Sequence, residues 1–193
     1  EKLQFIDEHY LSRFDALDID SEIKLQKPFE TLKDIQIEYP ISEAESEEGN
    51  AYLSYNTIVG DSLDKELYVA FQILDYAISS APGAPLKTAL IDKGIGKDVY
   101  SVYENGIYQP YFSVIAKNTD VDRKEEFVDT IENVIKDLIA NGIEKKSLAA
   151  AIRYFEFKYR EADFGSYPKG LMYGLQVFDS WLYDANSPFM HVE

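Results

Sequence analysis

The stretch that decides the fold runs from Asp61 to Lys117 and reads DSLDKELYVAFQILDYAISSAPGAPLKTALIDKGIGKDVYSVYENGIYQPYFSVIAK. Its first part predicts a long helix from Ser62 to Ser80, because one face of such a helix would be apolar. Either Asp61 or Ser62 is expected to cap the start of this helix through its side-chain oxygen. The residues that define the apolar face recur at helical spacing: Leu63, Leu67, Ala70, Phe71, Leu74 and Ile78.

The same stretch continues with a break, a second helix and a hairpin. The segment 81–85 (Ala-Pro-Gly-Ala-Pro) ends the first helix, because its two prolines cannot donate backbone hydrogen bonds. A shorter helix is predicted from Pro85 to Lys93. Two β-rich runs then flank Asn105 and Gly106, and this dipeptide predicts a tight hairpin turn, since both residues tolerate positive φ.

Upstream of this centre the sequence predicts a helix, a connector and two strands. Residues 1–28 carry a short apolar-striped helix followed by a polar connector. Apolar and polar residues alternate over 35–39 and again over 51–59, and this alternation predicts two half-exposed strands. We place the start of the domain at residue 29, after the connector.

Downstream, three further helices are predicted over 122–141, 148–160 and 171–184, the first from a capping box formed by Asp122 and Glu125. The order of elements predicts one α+β domain over residues 29–184, in which an antiparallel sheet is packed on one side by helices. Residues 185–193 are interpreted as the start of a linker.

Composition restricts the classes of partner. The net charge of −16 argues against nucleic acid and anionic membrane surfaces as partners. There are no cysteines, which excludes disulfides, thiolate metal sites and a cysteine nucleophile and fits a reducing compartment, so we expect a cytoplasmic location. No apolar run reaches bilayer length. Because the chain opens at Glu1 without Met, we interpret it as a fragment of a longer protein.

No catalytic or metal-binding constellation is present in the sequence. The two histidines, His9 and His191, are far apart and neither has a partner at ligand spacing, so we expect both to be surface or linker residues. Gly94 and Gly96 follow a predicted helix and do not form a dinucleotide fingerprint. Charged residues at helical spacing in the fifth predicted helix favour structural ion pairs over catalysis: Arg153, Glu156 and Arg160. We therefore assign no catalytic residue and no metal ligand.

Two segments resemble a known enzyme family. The helix–turn segment 81–99 is similar to the corresponding segment of the pitrilysin/insulinase family of zinc metallopeptidases. The aromatic-rich segment 154–183 resembles the presequence-protease branch of that family, where a related segment closes the second of four homologous domains. The resemblance covers the chain from about residue 21 to the C-terminus, and it implies a roll-type α+β domain.

The resemblance implies that this chain is part of a peptide-degrading enzyme but does not itself catalyse peptide hydrolysis. Members of the family degrade peptides in a chamber formed by two bowl-shaped halves, and their first domain carries H-x-x-E-H with a catalytic zinc. That motif is absent here, so the chain resembles the second, non-catalytic domain, with peptide substrates and the other domains of the same chain as its partners. In the insulin-degrading branch, this domain holds the N-terminal end of the substrate. The matching positions here are Gly83, Ala84, Val99, Tyr100 and Ser101.

Two alternatives stay open at this point. Family members that lack a metal site serve as structural or assembly subunits, and a parent protein without H-x-x-E-H would place this chain among them. A free-standing peptide-binding module is the third hypothesis, and it would require the chain to be a complete product. The physiological peptide, the organism and the oligomeric state do not follow from the sequence.

Overall fold

The computed structural model describes residues 1–184 and 186–192. Its three strands are β1 (Ala51–Ile58), β2 (Asp98–Glu104) and β3 (Tyr111–Thr119). Its α-helices are α1 (Lys2–His9), α2 (Lys65–Asp75), α3 (Pro85–Asp92), α4 (Lys124–Asn141), α5 (Lys145–Glu161) and α6 (Lys169–Trp181). A π-helical turn (Tyr76–Ser80) continues α2, and short 3-10 turns occupy Leu11–Arg13 and Val121–Arg123.

The strands form one antiparallel sheet in the order β1-β3-β2, so β2 is an edge strand of this sheet. Both outer strands pair with β3: Val114 lies opposite Tyr55 on one side and opposite Ser101 on the other. A bulge interrupts the pairing near the end of β3, where Asn118 adopts a φ of 55°. The predicted α+β architecture with an antiparallel sheet is confirmed.

Helices cover one face of the sheet and enclose the core. Because side chains alternate along a strand, every second residue of each strand points toward the helices. The buried apolar side chains come from all three strands, from α3 and α4 and from the connections: Leu53, Val59, Leu86, Leu90, Ile95, Val99, Phe112, Val114, Ala116, Phe127 and Ile131. The opposite face carries partly exposed tyrosines, including Tyr52 and Tyr100.

The hairpin between β2 and β3 is correctly predicted, but its turn is not. The strands are joined by a six-residue loop over 105–110, and neither Asn105 nor Gly106 has a positive φ. The loop is held instead by tertiary bonds: the Tyr108 carbonyl accepts from the Ser62 amide at 2.9 Å, and the Pro110 carbonyl accepts from the Val59 amide at 2.8 Å. These bonds to the β1–α2 connection outweigh the local preference of Asn-Gly.

Helix α2 begins three residues later than predicted. Its N-cap is Asp64, whose carboxylate accepts from the Leu67 amide at 2.9 Å. The two predicted caps do not serve the helix: Ser62 is fully buried with no hydrogen-bond partner for its side-chain oxygen among the described residues, and Asp61 accepts from the Leu63 amide at 2.9 Å, ahead of the helix. The capping box predicted for α4 is also wrong, because the N-cap is Arg123 and it follows a 3-10 turn.

The strand predicted over 35–39 is absent. Residues 15–41 contain no helix or strand, and Ile35 and Ile37 are 76% and 81% exposed. The alternation of apolar and polar residues indicates a strand only when a neighbouring strand supplies hydrogen bonds and a core covers one face. Here the sheet edge at β1 does not pair with this segment.

Candidate functional site

The predicted substrate-holding residues of β2 lie at the sheet edge and divide between its two faces. Val99 is 1% exposed and belongs to the core, whereas Tyr100 is 38% exposed on the face away from the helices. Ser101 is half-buried and points back toward the helices. One side of β2 pairs with β3, and its other side pairs with no strand in the described part of the chain.

The other two predicted residues lie in the turn before α3. Gly83 has a φ of 74°, and a Cβ placed there would meet no atom within 4 Å, so this position faces open space. Ala84 is 3% exposed. Its amide donates to the Ala81 carbonyl at 3.0 Å, and its carbonyl accepts from the Thr88 amide at 2.9 Å. The turn thus leaves open space at Gly83, whereas both backbone groups of Ala84 already form hydrogen bonds within the turn and α3.

Two contacts bring this turn and the β2 edge together. The hydroxyl oxygens of Ser80 and Ser101 lie 3.4 Å apart, just before the turn. On the other side of the turn, the Lys87 ammonium lies 3.7 Å from the Asp98 carboxylate at the start of β2. The five residues predicted from the family resemblance therefore occupy neighbouring segments.

Asp75, at the end of α2, also belongs to this neighbourhood, although the sequence analysis did not select it. Its carboxylate accepts a hydrogen bond of 2.5 Å from the Ser101 hydroxyl. Burial raises the pKa of Asp75, and the bond from Ser101 opposes that rise by stabilising the carboxylate. A single acidic residue in the otherwise apolar run Ile73–Ile78 was the signal that could have identified it.

The sheet face that carries Tyr100 is polar and aromatic. In one row across the strands, Ile115 lies opposite both Tyr100 and Ser54. In the row nearer the start of β2, the Lys117 ammonium lies 5.6 Å from the centre of the Tyr52 ring. This face therefore combines aromatic, aliphatic and charged side chains.

The histidines and the charged face of α5 do not form a catalytic group. His9 is exposed, as predicted. The prediction for His191 is wrong: its ring stacks on Tyr68 with centroids 3.8 Å apart, and its Nε2 lies 2.7 Å from the Ser62 carbonyl oxygen. Burial lowers the pKa of His191. The ion pairs found in the described residues do not include those predicted along α5: Arg153, Glu156 and Arg160.

A second polar cluster surrounds this histidine. The Tyr68 hydroxyl lies 3.2 Å from the Asp179 carboxylate, to which it donates. Burial raises the pKa of Asp179 to about 6, opposed by the Tyr68 hydrogen bond and assisted by the charge of Glu104. The cluster joins α2 to α6 and to the segment 186–192. It offers one acid, Asp179, and one imidazole, His191, each in contact with Tyr68.

Two features are absent from the described residues. Over 1–184 and 186–192, no group of three or more His, Asp or Glu side chains is arranged to hold a metal ion. Within those same ranges, no helix has the length and apolar character needed to cross a membrane.

Comparison with known proteins identifies relatives along the whole chain. The family profile described as "Peptidase M16 inactive domain" matches residues 2–155. Protein HypA of Clostridium perfringens is 45% identical over 193 residues, which is all of this chain and 20% of that protein. Presequence protease 1, chloroplastic/mitochondrial, of Arabidopsis thaliana is 28% identical over 184 residues, 93% of this chain and 17% of that protein.

A solved structure shares the fold at low sequence identity. The protein from Bordetella pertussis Tohama I, described as a zinc protease, superposes with a TM-score of 0.56 at 12% identity. The alignment covers 72% of this chain and 76% of that chain. The chain spans about a fifth of the length of the curated relatives it matches.

Proposed function

We propose that this chain, which belongs to the peptidase M16 family and matches its inactive domain, forms chamber wall and a substrate-holding exosite in a zinc-dependent metalloendopeptidase. As an inactive domain of that family it is a non-catalytic part of a peptidase-family protein. The zinc and the catalytic water belong, in this proposal, to another domain of the same protein. The partners are extended peptides and those other domains.

The observation that carries the exosite is the position of β2. An edge strand with an unpaired side offers backbone amide and carbonyl groups to an extended peptide, and such pairing does not depend on the peptide's sequence. Val99 anchors the strand in the core, Tyr100 offers an exposed ring, and Gly83 leaves space beside the edge. Backbone pairing at Val99 to Ser101 would let one site hold many different peptides.

The experiment compares Ser101→Pro with Ser101→Ala in the full-length protein. Proline removes the backbone amide donor and hinders strand pairing, whereas alanine removes only the hydroxyl that bonds Asp75. We expect the proline variant alone to lower kcat/KM for long peptides, by about tenfold, with short peptides cleaved almost normally. Thermal melts of both variants establish that they are folded.

An unchanged ratio of long-peptide to short-peptide kcat/KM in Ser101→Pro would remove the exosite and leave the domain as chamber wall. An equal loss in Ser101→Ala would assign the effect to the Asp75 contact and contradict backbone pairing.

The alternative is a structural or assembly domain in a family member without peptidase activity. The absence of a metal-holding cluster in the described residues is common to both functions, so it does not separate them. Peptide hydrolysis by the full-length protein that stops when a chelator is added and returns when zinc is added supports the metallopeptidase function. Absence of hydrolysis under zinc supports the structural function.

A further inference from the structure

A groove at the far end of the sheet has the chain's own N-terminal connector as one of its walls. The groove has a volume of about 500 Å³ and lies between the connector, the hairpin loop and the end of the strand pair β1–β3. Its walls are mainly aliphatic and aromatic: Ile58, Ile107, Tyr108, Tyr111 and Tyr183. Tyr108 and Tyr183 stack face to face with centroids 4.4 Å apart, which makes this wall rigid.

The connector is held at the edge of the groove through its backbone. The Gln26 amide donates to the side-chain oxygen of Gln109 at 2.6 Å, and the side-chain nitrogen of Gln109 donates to the Gln26 carbonyl at 3.1 Å. One side-chain amide thus satisfies both backbone groups of one residue, as a neighbouring strand would. Such pairing recognises an extended main chain and is indifferent to the side chain of residue 26.

Little else holds this part of the connector. Ile23, which contributes to the groove, remains 58% exposed, and residues 15–41 contain no helix or strand. The other side-chain contacts from this segment to the domain lie beyond the groove: Asp34 bonds Lys124, and Tyr39 bonds Asn50. Displacing residues 23–26 would therefore break the pair of bonds to Gln109 and a partial apolar contact, while the described hydrogen bonds of Asp34 and Tyr39 would stay in place.

The groove opens on the same sheet face as Tyr100. Ile58, Tyr111 and Glu104 form one row across the strands, and the row of Tyr100 lies four residues earlier along β2. Four residues of strand span about 13 Å, so a peptide held at the β2 edge could reach the groove with four or five further residues.

The connector segment that pairs with Gln109 indicates the chemistry of a peptide that could replace it. The connector sequence here is Ser-Glu-Ile-Lys-Leu-Gln-Lys-Pro (21–28), which combines two aliphatic side chains with two lysines. Lys24 itself lies at the groove, and a lysine is attracted by a protein of net charge −16. An extended peptide with alternating aliphatic and lysine residues reproduces each of these contacts.

We propose that this groove is a second peptide-binding subsite, in which Gln109 pairs with the backbone of an extended, lysine-bearing aliphatic peptide, and that residues 23–26 are a displaceable strap that holds this hydrogen-bonding position at Gln109 and forms one wall of the groove. The subsite rests on the proposed peptide-handling function and extends it along the sheet. Because the strap competes with a bound peptide, the apparent affinity for the peptide equals the intrinsic affinity multiplied by the fraction of molecules in which the strap is displaced.

The test measures binding of a labelled, end-blocked peptide of sequence 21–28 by fluorescence anisotropy. The released variant combines Ile23→Ser with Gln26→Pro, which removes the apolar contact and the donated amide. We expect it to bind the peptide at least about tenfold more tightly than the wild type. The matched control, Ile35→Ser with Gln36→Pro, carries the same changes in the connector outside the groove and should bind as the wild type does.

Gln109→Ala in the released background should abolish that gain, and Gln109→Glu, which keeps the size and the acceptor but loses the donor, should abolish most of it. A peptide with both lysines replaced by glutamate should bind at least about tenfold more weakly. The proposal is overturned if the released variant binds no better than the control, or if both Gln109 variants retain full binding in a folded protein.

The outcome of the groove experiment can be distinguished from the outcome of the exosite experiment. Ser101→Pro should leave unchanged the gain in peptide binding that the released variant shows over its control, because Ser101 lies outside the groove. Loss of peptide binding to the released protein, with the long-to-short cleavage ratio still sensitive to Ser101→Pro, rejects the groove alone. Tight binding with an insensitive ratio rejects the exosite alone.

Discussion

The ring of Phe71 on α2 lies 5.4 Å from the ring of Phe112 on β3, centroid to centroid, with the two planes at 67°. A second contact, to Tyr103 on β2 at 4.9 Å, places Phe71 across two strands of the sheet. Phe71 also lines an open apolar cavity of about 370 Å³ between α2 and α5, so its ring is only partly buried. The ring of Phe71 therefore packs α2 against the sheet with one side, while its other side faces this cavity.

This geometry predicts a moderate cost for Phe71→Ala. Emptying a fully buried phenylalanine site costs about 3–5 kcal/mol, and we expect a loss of about 2–3 kcal/mol for Phe71 because part of its surface already meets solvent. Phe127→Ala is the matched comparison, since Phe127 is 1% exposed in the same core, and it should reach the full range. Denaturant melts of both variants measure the difference. A loss below about 1 kcal/mol for Phe71→Ala, or one equal to that of Phe127→Ala, would contradict this account.

The apolar face of α2 could be predicted because helical periodicity depends only on the local sequence. Leu67 and Phe71 pack on the core as expected. The start of the helix could not be predicted, because Ser62 is drawn into a bond with Tyr108, which lies more than forty residues away in the sequence. The same distant bonding replaced the Asn105-Gly106 turn with a longer loop. Local preferences fail here where a tertiary hydrogen bond offers a larger gain.

Gly96 should be the glycine that is least tolerant of substitution near the candidate site. It has a φ of 81°, and a Cβ there would lie 3.0 Å from the Lys117 carbonyl oxygen and 3.1 Å from the Ala116 Cβ. Both strain and close contact with backbone oppose a side chain, so Gly96→Ala should cost at least about 2 kcal/mol. Gly174→Ala is the control: it lies inside α6 with open space around it, and alanine there should stabilise the helix by about 0.5–1 kcal/mol. Thermal melts that rank the two variants in the opposite order would be incompatible with the close packing at the start of β2.

Part of the candidate site could be predicted, but from the family resemblance and not from local sequence patterns. The family resemblance selected Val99, Tyr100 and Ser101 together with Gly83 and Ala84, and the structure brings these two segments near each other. Asp75 and Gln109 were not selected, because each acts through one long-range partner, Ser101 and Gln26 respectively. No spacing rule within the sequence identifies such partners. Whether the five selected residues hold a peptide stays a prediction.

Asp179 predicts a dependence of stability on pH. Its carboxyl is partly buried beside Tyr68 and Glu104, and its pKa in the folded protein is about 6 against an ordinary value of 3.8. Between these two values the folded state binds more protons than the unfolded state, so the stability contributed by this group is fully present below pH 4 and is lost as pH rises through about 6. The effect should be on the order of 1 kcal/mol, because a half-exposed carboxyl is partly screened by solvent.

The measurement compares the free energy of unfolding of Asp179→Asn with that of the wild type from pH 4 to pH 8. Asparagine keeps an oxygen that accepts from Tyr68 and cannot ionise, so the variant should match the wild type near pH 4 and exceed it by on the order of 1 kcal/mol at pH 8. His191 is present in both proteins, so its own titration cancels to first order in the difference. Asp129→Asn, on the exposed face of α4, controls for the loss of one negative charge from an acidic protein. A difference that is flat across pH 6, or that follows the Asp129→Asn control, would mean that Asp179 is not held as a protonated acid between α2 and α6.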